Sequence, residues 1–247
     1  MRLTADVLLR AESYLNPVRE RELFLRGFKV PAVENLSVLQ DQFDVIDFSD
    51  NEIRILDNFP RMRRLTTLLV NNNYVFRVGS IGENLPQLNT LVLTNNRIAN
   101  LSEIDNIASL QNLECLSLMD NPVTQRPHYR LYVIHKMPQL KFLDFVKVKK
   151  VEREAAATLF ESSEGQGVIS SVQEEHQAAE QEKQQARMSA ASRLTESQRE
   201  QVRRAIESAT TREEMDRIEK QLKTGTFVFA EEDGSNGHVG LTSANGK

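Results

Sequence analysis

Four stretches decide the fold: FDVIDFSDNEI (43–53), LTTLLVNNNYV (65–75), LNTLVLTNNRI (88–98) and LECLSLMDNPV (113–123). Each approximates L-x-x-L-x-L-x-x-N-x-I, and each has an asparagine at the same phase: Asn51, Asn73, Asn96 and Asn121. The asparagines are 22, 23 and 25 residues apart. Chance alternation of apolar and polar residues does not return an asparagine to one phase four times. Within a copy, Ile46 and Phe48 alternate with Asp47, the period of a short strand with one buried face. The asparagine that follows is placed to satisfy backbone groups that a packed coil would otherwise bury unpaired. Its expected role is structural, not catalytic.

The spacing lies within the period of about 20–29 residues of leucine-rich repeats. The expected fold is therefore an α/β leucine-rich-repeat solenoid. It has a short parallel sheet on its concave face, helical caps at both ends and a polar tail carrying a helical hairpin. Two degenerate copies flank the four. RELFLRGFKV keeps Leu23, Leu25 and Val30 with Phe28 at the asparagine phase, and LKFLDFVKV keeps Leu140, Leu143 and Phe145 with Val148 there. End repeats have one neighbour, so departures are expected. Thr4 reads as the N-cap of a helix with Val7, Leu8, Ala11, Tyr14 and Leu15 on one face and Pro17 as its stop. Tyr129, Tyr132, Val133 and Met137 read as a helix that closes the last repeat.

Beside the leucines of each L-x-L, side chains point onto the concave face. They are Phe24, Arg26, Asp47, Ser49, Leu69, Asn71, Val92, Thr94, Ser117, Met119 and Asp144, with Val146 beyond. The preceding position adds Glu22, Val45, Thr67, Thr90, Cys115 and Phe142. Phe24, Leu69, Val92, Met119 and Phe142 make an apolar stripe that the fold does not require, and such patches mark protein partners. A helix from another protein fits a curved sheet of this kind. Asp47 and Asp144 are expected to fix its register against basic residues.

The chain has 247 residues, 31 basic and 35 acidic, with 40% hydrophobic residues and a net charge of −4. That composition suits a folded body and excludes nucleic-acid binding driven by bulk charge alone. One cysteine, Cys115, excludes an internal disulfide framework and a cysteine-built zinc site. The segment MRLTADVLLRAES does not read as a secretory signal, and no run of about 18 apolar residues is present, so no membrane association is expected. A soluble, intracellular protein is the expectation. His128, His135, His176 and His238 form no metal-ligand spacing. No catalytic grouping, no metal site and no cofactor are expected, and the glycosylation matches at Asn35 and Asn100 are read as silent. Three basic groups read mainly as solvated charge, with phosphate contact as the sharper alternative. They are Arg61, Arg63 and Arg64; Arg19, Arg21, Arg26 and Lys29; and Lys147, Lys149, Lys150 and Arg153. Without stacking aromatics beside them, base readout is not expected, and the last group is a weak nuclear-import candidate.

Residues 1–160 carry all four tyrosines, nine of the eleven phenylalanines and a net charge of +1; the remainder carries −5. The folded domain is therefore placed at 1–160, and removing 162–247 is expected to leave it folded. Residues 161–194 read as a flexible polar linker, with a marginal solvated helix as the alternative. Two capping boxes, at Thr195 and Thr211, predict a helical hairpin over 195–225, and 226–247 reads as a disordered tail.

Several stretches carry a closer resemblance: NPVRERELFLRGFKVPAVENL, DQFDVIDFSDNEI, LLVNNN and NPVTQRPHYRLYVIHKMPQLKFLDFVKVKKVERE. Over roughly 3–160 they resemble the A-prime family of U2 small nuclear ribonucleoprotein components. The resemblance implies a nuclear, non-enzymatic scaffold of pre-mRNA splicing. Its concave sheet would grip a helix of the RNA-recognition-motif protein B-double-prime. The pair would hold a U2 snRNA stem-loop, among other spliceosomal proteins. The competing class is a leucine-rich-repeat regulatory adaptor of a protein phosphatase or another nuclear complex. Acidic nuclear phosphoproteins and axonemal proteins also use such repeats. Nothing in the sequence supports an enzyme.

Overall fold

The structure is a computed structural model in which residues 2–192 are described. The expected hairpin at 195–225 and the tail at 226–247 lie outside the described residues. The first of two units runs from Met1 to Gln177. Of the second, only helical residues up to Ser192 are described.

In chain order, the first unit opens with α1 (Ala5–Arg10), β1 (Glu12–Leu15), β2 (Arg21–Phe24) and β3 (Val45–Asp47). It continues with β4 (Ile55–Leu56), β5 (Thr67–Leu69), β6 (Arg77–Val78), β7 (Thr90–Val92), α2 (Ser102–Ile107) and β8 (Cys115–Ser117). It closes with α3 (Tyr129–Lys136), β9 (Phe142–Leu143), β10 (Val146–Lys147), α4 (Lys150–Glu161) and the start of α5 (Ser163–Ser192). The main sheet has eight strands in the order β1-β2-β3-β5-β7-β8-β9-β10. Its six inner strands are parallel, in a register that aligns Leu23, Ile46, Leu68, Leu91, Leu116 and Leu143. Both degenerate end copies thus contribute a strand. β4 and β6 pair in parallel on the flank.

The aligned apolar residues explain the stack. All six are 0–1% exposed. The second leucine-phase residues Leu25, Phe48, Val70, Leu93 and Leu118 are fully buried behind them. Each such side chain contributes about 1.5–3 kcal/mol when buried, and no single coil can bury its own row without a neighbour.

The N-terminal end differs from a plain reading of a helical cap, whereas the closing helix is found as expected. Thr4 is the N-cap, its hydroxyl accepting from Val7 N (3.3 Å), but α1 stops at Arg10. Glu12–Leu15 is a strand paired antiparallel with β2, and Tyr14 and Leu15 are exposed rather than packed on a helix face. The reason is local. Asn16 Oδ1 accepts from Val18 N and Glu20 N, building a tight turn ahead of β2, and the turn sends the chain back along the sheet edge. At the far end α3 buries Tyr129, Tyr132 and Val133, and Met137 just beyond is buried too. Behind it lies α4, whose Phe160 meets Tyr132 edge-on at 5.8 Å.

The boundary at 160 also moves. Ser163–Ser192 is one helix, and its start belongs to the folded unit. Val172 is buried, with Val168 and Ile169 packed against the core, and Glu175 pairs with Arg126. Gly165 permits the approach: a Cβ there would collide with the Leu159 carbonyl. The Gln-, Glu- and Ser-rich composition hid a single apolar turn.

Candidate functional site on the concave sheet face

The site's frame is the asparagine ladder. Asn73 Oδ1 accepts from Ile53 N (3.0 Å), and its Nδ2 donates to the carbonyls of Phe48 (2.9 Å), Asn71 (3.0 Å) and Val70 (3.3 Å). Asn51, Asn96 and Asn121 repeat the pattern, accepting from Val30, Val75 and Ile98 N. Each amide ties one coil to the coil before it. The residue before each ladder asparagine is Asp50, Asn72, Asn95 or Asp120, and all four have φ between 55° and 60°. Asp and Asn are the ordinary residues that tolerate this left-handed conformation. The Asx-Asn dipeptide in every copy was the sequence signal for it.

With strands fixed in this way, alternate side chains stand on the concave face. Met119 and Phe142 are 41% and 43% exposed. Phe24 and Leu69 are half-buried, and Val92 is 8% exposed between its cross-strand neighbours Leu69 and Ser117. Polar residues fill the next row. Thr94 Oγ1 and Ser117 Oγ lie 2.9 Å apart, and Asn71 Nδ2 reaches Ser49 Oγ at 3.4 Å. Asn71 Oδ1 is buried and has no hydrogen-bond partner. At the rim, Asp50 accepts from Arg26 Nε and from Asn72 Nδ2, and Asn95 Nδ2 donates to Asn72 Oδ1. The Asn72 hydrogen bond first, then Arg26, holds the Asp50 carboxyl below the usual carboxylate range.

Five expected contacts sit differently, and three of them, Val92, Ser49 and Ser117, are buried in the sheet surface. Asp47 is buried, its carboxylate turned to Ser49 N (2.8 Å). Asp144 leaves the face altogether. It and Phe145 have φ of 53° and 60°, forming the turn between β9 and β10. Its carboxylate accepts from Leu118 N (2.7 Å) and the Tyr129 hydroxyl (3.0 Å). A hairpin in place of a seventh coil is what redirected it. That turn leaves Phe145 and Val146 exposed at the end of the sheet.

The basic groups also sort themselves. Arg64 pairs with Asp44 (2.7 Å), whose pKa is lowered by that hydrogen bond. Arg153 donates to the carbonyls of Pro138 and Leu140. His128 pairs with Glu164, and His135 lies over Phe160 at 4.7 Å, its pKa lowered by burial. Cys115 is half-buried, and burial raises its thiol pKa. Among the described residues no three His, Cys, Asp or Glu side chains gather to hold a metal ion, and no helix is long and apolar enough to cross a membrane.

A parallel sheet, tied by an amide ladder and bearing a partly exposed apolar row, defines a capped leucine-rich-repeat protein. A leucine-rich repeat family model matches residues 1–173. The U2 small nuclear ribonucleoprotein A' of Arabidopsis thaliana is 52% identical over 173 residues, 70% of each chain. Its human counterpart is 54% identical over 166 residues, 67% of this chain and 65% of the relative. One chain of the solved SNF/U2A' complex of Drosophila melanogaster superposes with a TM-score of 0.67 at 44% identity, covering 69% of this chain and 99% of that one. This chain belongs to the U2 small nuclear ribonucleoprotein A' family.

Proposed function

We propose that the chain is a non-catalytic scaffold of the U2 small nuclear ribonucleoprotein, acting in pre-mRNA splicing in the nucleus. Its concave face takes a helix of the RNA-recognition-motif protein B-double-prime, and the pair holds a U2 snRNA stem-loop among other spliceosomal proteins. The observation that carries this reading is the apolar row Leu69, Met119 and Phe142, half-buried or exposed on the sheet face, with Val92 packed beneath it at 8% exposure. The solved Drosophila relative, recorded in a complex with SNF, supports the partner class. A helix laid along the row removes these side chains from water, and each fully buried one contributes about 1.5–3 kcal/mol.

The test is titration of the full chain with the purified RNA-recognition-motif partner, with and without U2 stem-loop RNA. Met119→Asp is expected to abolish partner binding and leave the melting temperature nearly unchanged, because Met119 already faces solvent. Val92→Asp is expected to abolish binding too but to melt lower, because Val92 is already buried and a carboxylate there is left unpaired. Normal partner binding by both variants overturns the reading.

A further inference from the structure

A second surface lies where the chain leaves each ladder asparagine. There the coils run in register: Tyr74 N donates to Ile53 O (2.9 Å), Phe76 N to Arg54 O (3.0 Å) and Arg97 N to Val75 O (2.8 Å). Ile53, Val75 and Ile98 turn into the core, fully buried. Tyr74 and Phe76 turn out and stay 42% and 45% exposed. Two residues apart on extended backbone, they stand about 6–7 Å from each other along the chain.

Arginines frame both rings. The Arg97 guanidinium lies 4.4 Å from the Tyr74 ring centroid, and that of Arg77 lies 5.9 Å from the Phe76 centroid. Arg54 occupies the neighbouring coil beside Phe76. Among the described residues none of Arg54, Arg77 and Arg97 forms an ion pair, whereas Arg26, Arg64, Arg126 and Arg130 all do. Glu52 lies one coil from Tyr74, and Asp57 lies beside Gly79, two residues beyond Arg77.

Exposed rings flanked by guanidiniums that form no ion pair among the described residues match one ligand chemistry. Bases stack on aromatic faces, phosphates meet the cations, and no base-edge readout is needed. A duplex hides its base faces, and an acidic peptide would leave the rings idle. We infer that the flank formed by Arg54, Tyr74, Phe76, Arg77 and Arg97 binds single-stranded RNA with little sequence preference, apart from the concave face. The choice of RNA over DNA rests on the ribonucleoprotein reading; the surface chemistry does not.

The experiment titrates the full chain with labelled oligouridylate of about a dozen nucleotides, a length within the range such sites span. Tyr74→Ala and Phe76→Ala are each expected to weaken binding roughly 10-fold, while Tyr74→Phe keeps it. With three phosphate contacts the logarithm of affinity falls with the logarithm of salt at a slope of about −2. Arg54→Gln and Arg97→Gln are each expected to reduce that slope by about 0.7. Met119→Asp keeps oligouridylate binding, and Tyr74→Ala keeps binding of the RNA-recognition-motif partner, so failure of one surface is told apart from failure of the other. Unchanged binding in the two alanine variants overturns the inference, as does tighter binding of an RNA duplex than of the single strand.

Discussion

Arg130 holds Glu152 with two nitrogens, Nε to Oε1 at 2.7 Å and Nη2 to Oε2 at 3.3 Å, and so joins α3 to the start of α4. The same carboxylate accepts from Lys149 N (2.8 Å), capping α4, and Arg130 also donates to the Leu143 carbonyl. One ion pair thus binds two helices and the last parallel strand.

The pair predicts an acid response. The Arg130 hydrogen bond, more than the Lys149 N–H, holds the Glu152 carboxyl below the usual carboxylate range. A carboxyl depressed in the folded state adds stability above its unfolded pKa of about 4.3 and loses it as pH falls through the folded value. The melting temperature is expected to fall from about pH 5 downward, with Asp44, Asp50 and Glu114 contributing in the same sense. Glu152→Gln is expected to melt lower at pH 7 and to show a shallower acid slope. Calorimetry across this range checks both, and parallel curves for the two proteins would refute the assignment.

Replacing Asn73 or Asn96 with Ala leaves a buried backbone N–H, that of Ile53 or Val75, unpaired and removes one of the donors to each of three carbonyls. The expected cost is about 1–3 kcal/mol in each case. Urea denaturation midpoints measure it. Midpoints equal to that of the parent chain would contradict the ladder.

The end of the folded unit predicts a difference between two truncations. A chain ending at Gln177 keeps every contact of the first unit. A chain ending at Glu161 loses Val172 from its buried position, together with the Arg126–Glu175 pair. The shorter form is expected to remain folded but to be less stable by about 1.5–3 kcal/mol. Equal melting of the two forms would show that α5 adds nothing.

Asn71 predicts where the concave face asks for a donor. Its Oδ1 is buried and unpartnered. Asn71→Leu removes that cost and is expected to keep or raise the melting temperature. If a partner N–H or O–H meets Oδ1 in the complex, the same change weakens partner binding roughly 10-fold, the worth of about one hydrogen bond. Undiminished affinity in Asn71→Leu would show that the partner passes this atom by.

Much of this was legible because the repeat announces itself. The phase of Asn51, Asn73, Asn96 and Asn121 set the strand register, and the register placed Leu69, Met119 and Phe142 on one face. The ends were harder. No neighbouring copy exists to compare with, so the β1–β2 and β9–β10 hairpins had to come from turn residues such as Asn16 and Asp144; Asn16 went unread beside Pro17, which reads as a helix stop, and Asp144 reads as a face residue. Tyr74 and Phe76 were missed for another reason. Their arginine neighbours include residues 23 and 22 positions away in sequence, Arg97 and Arg54, which only the coil-to-coil stacking brings alongside.

The two hairpins have a last consequence. A repeat array can lengthen by adding coils, but here each edge of the parallel sheet is turned back on itself, by β1 at one end and β10 at the other. The six parallel strands therefore make a ruler of set length. Five intervals of about 4.8 Å span about 24 Å, the rise of about sixteen helical residues. A helix much longer than that overhangs the groove, and a shorter one leaves a strand uncovered, so the molecule measures its guest before it reads any side chain.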